Sequence, residues 1–370
     1  MVNSSVSDRM SDTALVLGGG NALGAYLAGA YEQLHEQAVR PNRIIGASIG
    51  AVTGAILAGN APERRMEKLT RLWEEATLPT FPMPASHGVK PRQIYNGLNM
   101  ALAAMFGRPG IFRHRYPGLW STLPWVPNDI ALYDTAPLRA TLERLVDFDR
   151  LNSGEVRFSL VCVDLESGDE VFFDTVRDRI GPEHIMASAA IAPAFPPVEI
   201  GGRLLCDPGY TNNLPLDYLF KEPLRRDLTC IAVDLFSLRN HRPASLDAVI
   251  ERTQDIVFSS ATRRSIAALK REFELLEKQE PDGPSARLLH LAYQAARHEL
   301  ASKTLDFSPS SIRDRWAAGR RDMAAGLALL RTPPASEGRF DYLSLDPKVA
   351  GKSAEAGAEG DMAPVLDKVA

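Results

Sequence analysis

A chain of 370 residues exceeds what one small core requires, so a main domain with an appendage is expected. Its 42 Lys and Arg against 46 Asp and Glu give a net charge of −4, which argues against the basic footprint of a nucleic-acid binder. The three cysteines, Cys162, Cys206 and Cys230, stand singly in apolar stretches, which argues against a disulfide scaffold or a zinc site and for reduced, buried thiols.

The first residues, Met1 to Thr13, are polar and lack the apolar core of a signal peptide, so residues 1–12 are read as a flexible N-terminus. An apolar strand, Ala14–Leu17, then runs into Gly18-Gly19-Gly20 and a helix over Ala25–Gln37. Consecutive glycines there let backbone N–H groups turn toward an anion at a helix N-terminus. Two nucleotide motifs fail on spacing. A dinucleotide fingerprint begun at Gly18 needs glycine where Leu23 stands, and a phosphate loop from Gly19 to Gly24 needs Lys where Ala25 stands. An oxyanion hole needs only backbone donors and survives both objections.

A second strand, Arg43–Ile45, leads into Gly46-Ala47-Ser48-Ile49-Gly50 and a helix over Ile49–Ala58. Strand, tight turn and helix are the setting in which a G-x-S-x-G serine becomes a nucleophile, because Gly46 and Gly50 permit a strained turn that exposes Ser48. The apolar run Ile44–Gly59 is 16 residues long, too short for a membrane span. A helix over Pro62–Ala76 follows, with proline in its first turn.

The stretch Leu78–Asp129 breaks the rhythm with prolines and aromatics, Trp120 and Trp125 among them, around the basic cluster Arg113-His114-Arg115. It reads as an insertion that is an acyl-pocket wall or a lid meeting a lipid surface, or else a side lobe packed by its aromatics. Beyond it come a helix at Pro137–Leu145, strands at Val156–Asp164 and Glu170–Asp174, a helix at Pro182–Ala190, and strands at Arg203–Cys206 and Leu228–Asp234. The third strand of that set ends at Asp207-Pro208-Gly209, where a carboxylate can reach a neighbouring site, although aspartate before Pro-Gly is also a common turn former. Residues 245–330 read as helices and the last twenty or so as a disordered tail. Alternating strands and helices favour an α/β fold whose mostly parallel sheet is covered on both faces. None of the seven histidines sits in a distinctive turn.

In this order, the glycine loop, the serine turn, the small-residue stretch Met186–Val198 and the Asp207 segment resemble the patatin-like phospholipase family. Residues 303–319 resemble the C-terminal extension of a bacterial subgroup of it. The resemblance implies a three-layer patatin-like fold with a helical C-terminal extension: a catalytic domain over 13–220, an extension over 221–348 and a tail over 349–370. It implies Ser48 as nucleophile and Asp207 as general base of a two-residue dyad, and an oxyanion hole of Gly19, Gly20 and Asn21. The motif glycines are Gly18, Gly24, Gly46, Gly50 and Gly209. No cofactor or metal is implied. The expected substrate is a lipid or other acyl ester, handled in the cytoplasm or at a membrane or polymer-granule surface, with the oligomeric state open. Intracellular poly(3-hydroxybutyrate) or a short ester is the alternative substrate, and a non-catalytic lipid-binding protein the alternative class. Leu23, Asn21 and Pro208 depart from the family pattern, which has a cation, a glycine and a glycine there.

Overall fold

The computed structural model describes residues 12–77, 88–237, 239–240, 242–334 and 338–345. Residues 1–11, the tail at 349–370, the start of the insertion at 78–87 and His241 are outside the described residues.

The chain opens with β1 (Asp12–Leu17), α1 (Ala25–Glu36), β2 (Arg43–Gly46), α2 (Ile49–Ala58) and α3 (Pro62–Ala76). The insertion holds α4 (Val89–Phe106) and β3 (Arg113–His114), which pairs as a ribbon with β4 (Tyr133–Asp134) just after it. Next come α5 (Ala136–Leu145), α6 (Phe148–Leu151), β5 (Arg157–Asp164), β6 (Glu170–Asp174), α7 (Pro182–Ser188), β7 (Val198–Ile200) and β8 (Arg203–Cys206). The remainder is α8 (Gly209–Asn212), α9 (Leu216–Phe220), β9 (Leu228–Asp234), α10 (Leu246–Gln279), β10 (Ala286–Ala292), α11 (Pro309–Leu330) and β11 (Phe340–Ser344).

The main sheet runs β11-β10-β9-β1-β2-β5-β8-β7, with β6 on the far edge of β5. Its first six members are parallel, whereas β6, β7 and β8 pair antiparallel. Central strands buried on both faces need apolar residues at every position, and β1 supplies them with Ala14, Leu15, Val16 and Leu17. Successive side chains point to opposite faces. Leu15, Leu17, Ile44, Ile231 and Val233 therefore join one core, with residues of α1, α2 and α11. Ala14, Val16, Ile45, Cys230 and Ala232 join the other, with residues of α9 and α10. The result is the expected three-layer α/β arrangement.

One expectation needs correction. The helical C-terminal region is present as α10 and α11, but residues 286–292, read as helix, form β10, and β11 follows at 340–344. Both continue the parallel sheet outward from β9. A short run such as Leu288-Leu289-His290-Leu291 has no periodicity that separates a buried strand from a buried helix turn.

Register explains how distant segments meet. Ser159 and Leu160 of β5 pair with β2 on one edge and β6 on the other. Val163 pairs with β6 and with Cys206 of β8. β2 and β8 therefore share one edge of β5 and run toward each other end to end. The residues just past each end, Ser48 and Asp207, converge.

Candidate active site

Ser48 sits between β2 and α2 with φ 56° and ψ −126°. A non-glycine residue there is strained and persists only where its surroundings enforce it. Packing supplies the enforcement. A Cβ on Gly46 would lie 2.5 Å from the Gly50 carbonyl, and one on Gly50 would lie 2.2 Å from the Leu17 carbonyl. The Ala47 N–H donates to that same Leu17 carbonyl at 3.0 Å, tying the turn to the end of β1. Ser188, at the end of α7, completes the support: its hydroxyl accepts from the Ser48 N–H at 3.0 Å and donates to the Val161 carbonyl at 2.7 Å.

Asp207 is buried, and the nearby Ser48 hydroxyl favours its charged form. The Gly209 N–H donates to its carboxylate at 2.8 Å. Pro208 leaves this contact intact, because the donor belongs to the following residue. Burial disfavours the charged form and pushes the Asp207 pKa up to about 7, against the opposing pull of the nearby Ser48 hydroxyl and the Gly209 N–H. Among the described residues no histidine bonds either group. His184 accepts the Gly181 N–H, and His290 meets the Tyr342 hydroxyl at 3.1 Å.

The glycine loop lies against this pair. The Gly18 N–H extends the β1–β9 ladder to Val233 at 3.0 Å. Gly19 is clamped by Asn213, whose carbonyl accepts the Gly19 N–H at 3.1 Å while its side-chain amide donates to the Gly19 carbonyl at 3.1 Å. A Cβ on Gly19 would come within 2.9 Å of the Ser48 Cβ. Asn21, at φ 50°, begins a 3-10 turn over Asn21–Gly24. The N–H groups of Gly20 and Asn21 meet no acceptor among the described residues. Leu23 is fully buried and packs in the core. Gly24 gives room to Ile49, whose side chain a Cβ there would meet at 2.5 Å.

Ser48 and Asn21 open onto a small, mostly apolar pocket walled by Ile49, Val52, Leu72, Leu138 and Phe195. Ile111, from the insertion, forms part of the same wall. Its neighbour Phe112 is buried against Phe195, with ring centroids 5.1 Å apart. Other apolar side chains of the insertion face outward: Phe106, Trp120 and Trp125 are 66%, 55% and 78% exposed. The basic cluster is internally paired, Arg113 with Asp134 at 2.7 Å and Arg115 with Asp129 at 2.8 Å. Among the described residues no group of His, Cys, Asp or Glu is placed to hold a metal ion. Likewise, no described helix is long and apolar enough to cross a membrane.

Sequence reasoning gave no role to Ser188 or Asn213. Each acts through one hydrogen bond or pair of bonds to a turn far away in the chain, and no local spacing announces that.

The family model described as patatin-like phospholipase matches residues 15–220, and a second, described as patatin phospholipase, matches residues 265–334. The chain belongs to the patatin-like phospholipase family, and so to a class of lipid ester hydrolases. Solved structures similar to it include VipD from Legionella pneumophila, at 13% identity and a TM-score of 0.40 over 86% of this chain and 67% of that one. The type III effector ExoU is similar at 14% identity and a TM-score of 0.34, over 86% of this chain and 53% of ExoU. The chain thus spans about half of ExoU's length.

Proposed function

We propose that this protein is a serine acyl hydrolase of lipid esters, in which Ser48 is the nucleophile and Asp207 its general base. The observation that carries this reading is a serine on a strained turn beside a buried carboxylate, with the serine lining an apolar pocket. The acyl chain lies along Ile49, Val52 and Leu72, and the ester carbonyl sits over Ser48. Asp207 takes the serine proton as Ser48 attacks, and the negative oxygen of the tetrahedral intermediate faces the N–H groups of Gly20 and Asn21. The Gly19 N–H is engaged by Asn213, so the expected trio of donors narrows to those two. Asp207 then protonates the leaving alcohol. Water, deprotonated by the same carboxylate, releases the fatty acid from the acyl-enzyme. A carboxylate held near pKa 7 suits a group that must both take and return a proton.

A fluorophosphonate probe tests this directly. Wild type should label with one equivalent and Ser48→Ala should not; absence of labelling in wild type would favour the non-catalytic lipid-binding alternative.

The exposed side chains of the insertion favour an aggregated lipid over a dissolved ester as substrate. Phe106, Trp120 and Trp125 lie on the segment that also walls the pocket through Ile111, so insertion at a lipid boundary would bring the pocket to the acyl chains. Arg113 and Arg115 are neutralised by Asp134 and Asp129, so docking by apolar burial should respond weakly to salt.

A further inference from the structure

Behind the glycine loop lies a guanidinium that the reaction does not contact. Arg315, in the first half of α11, is fully buried. Its Nε donates to Glu299 at 2.9 Å, Nη2 to the Lys303 carbonyl at 3.0 Å, and Nη1 to the Asp306 carbonyl at 2.8 Å. These three partners belong to the segment just before its own helix. The remaining bond does not: Nη1 also donates to the Ala22 carbonyl at 3.2 Å, 293 residues away in sequence.

Ala22 is the second residue of the 3-10 turn Asn21–Gly24, whose first residue lines the pocket beside Ser48. In such a turn the carbonyls point along the axis one way and the N–H groups the other. Holding the Ala22 carbonyl from the back therefore holds the leading N–H groups on the pocket side. The approach is rigid. A Cβ on Gly29 would lie 1.9 Å from the Trp316 carbonyl and one on Gly319 would lie 2.0 Å from the Tyr26 carbonyl, so α1 and α11 touch backbone to backbone. The Trp316 indole also donates to Glu32 at 2.8 Å, and the Tyr26 hydroxyl to Asp322 at 2.8 Å.

We propose that Arg315 is a positioning residue for the oxyanion-binding turn, so that α11 reaches the catalytic centre through this one side chain. The proposal rests on the hydrolase reading above and adds to it the part that aims the backbone donors. Substrate binding in the apolar pocket does not depend on those donors, whereas the charged intermediate does.

The test compares Arg315→Met, Arg315→Lys and the double substitution Arg315→Met with Glu299→Gln, which removes both charges together and leaves no orphan ion in the core. Trp316→Phe, which breaks the Glu32 bond of the same helix pair, serves as the structural control. Steady-state hydrolysis of a p-nitrophenyl ester, affinity for a trifluoromethyl ketone analogue and the unfolding midpoint are read for each. The methionine variant, or the double variant if the single one does not fold, should lose about tenfold to a hundredfold in kcat with KM little changed. Ketone affinity should fall by the same factor, and the lysine variant should lie between. Trp316→Phe should lower the midpoint and leave kcat and ketone affinity alone. Folded Arg315 variants with normal kcat, or with losses no greater than Trp316→Phe shows at a comparable drop in midpoint, would overturn the proposal. Ser48→Ala separates the two readings: full activity there sinks the hydrolase assignment, whereas a dead Ser48→Ala beside fully active Arg315 variants sinks only the role of Arg315.

Discussion

In the proposed mechanism Ser48 and Asp207 act on one proton, and that coupling governs how their variants should behave. Ser48→Ala and Asp207→Asn should each abolish ester hydrolysis, and the double variant should be no slower than either single one, because the roles form a unit. The raised Asp207 pKa adds a pH signature. The base must be ionised to work, so kcat/KM should rise with pH through about 7 in wild type. Stability moves the other way. Between the ordinary carboxylate range and about 7 the folded protein binds a proton that the unfolded chain has lost, so stability falls as pH rises through that window. Asp207→Asn should flatten that decline and unfold later than wild type at pH 8, as followed by circular dichroism in thermal melts. A wild type whose melting temperature does not fall between pH 5 and 8 would contradict the buried, protonatable base. Asn213→Ala should cost about tenfold in kcat by releasing the Gly19 carbonyl from its side-chain clamp, with a smaller effect on KM. The sequence singled out Ser48 because its neighbours are sterically constrained: only glycine fits at positions 46 and 50. It was silent on Asn213 and Ser188, whose bonds span 194 and 140 residues and ask nothing of the residues around them.

Among the elements, the insertion decides what the pocket meets. If Trp120 and Trp125 enter a lipid boundary, replacing both with Ala should lower activity on vesicles or micelles and spare a soluble ester. Equal losses on both, with a lower unfolding midpoint, would make them ordinary packing. Their exposure of 55% and 78% favours the first outcome, whereas Phe112 and Met100 of the same segment are core. The sequence offered a pocket wall, a lid and a packed lobe as alternatives because aromatic composition alone does not say which side chains face outward. Of the regular elements, the strand–turn–helix units around β1 and β2 were legible to within a residue or two, since glycines and prolines mark their ends. β10 was not, because a buried strand and a buried helix turn share the same apolar composition over seven residues.

For the whole molecule, the contact of α1 with α11 is the principal seam. Gly319→Ala places a methyl group into the Tyr26 carbonyl and should cost about 1–3 kcal/mol or more by separating the two helices. Because the turn held by Arg315 sits at the N-terminal end of α1, the same variant should also lower kcat, read together with urea unfolding. An unchanged midpoint would show that the helices can separate freely and that the seam is loose.

That seam also dictates a schedule. β1 occupies the middle of the sheet, yet one of its two neighbours, β9, begins at Leu228, and the helix that covers α1 ends at Leu330. During synthesis the first strand and helix must therefore wait, with apolar faces uncovered, on the order of tens of seconds for their partners to leave the ribosome. The interior of this fold closes last where it began first. Ribosome-bound chains halted before residue 309 should bind holdase chaperones and resist no protease, and those released past residue 345 should do the reverse.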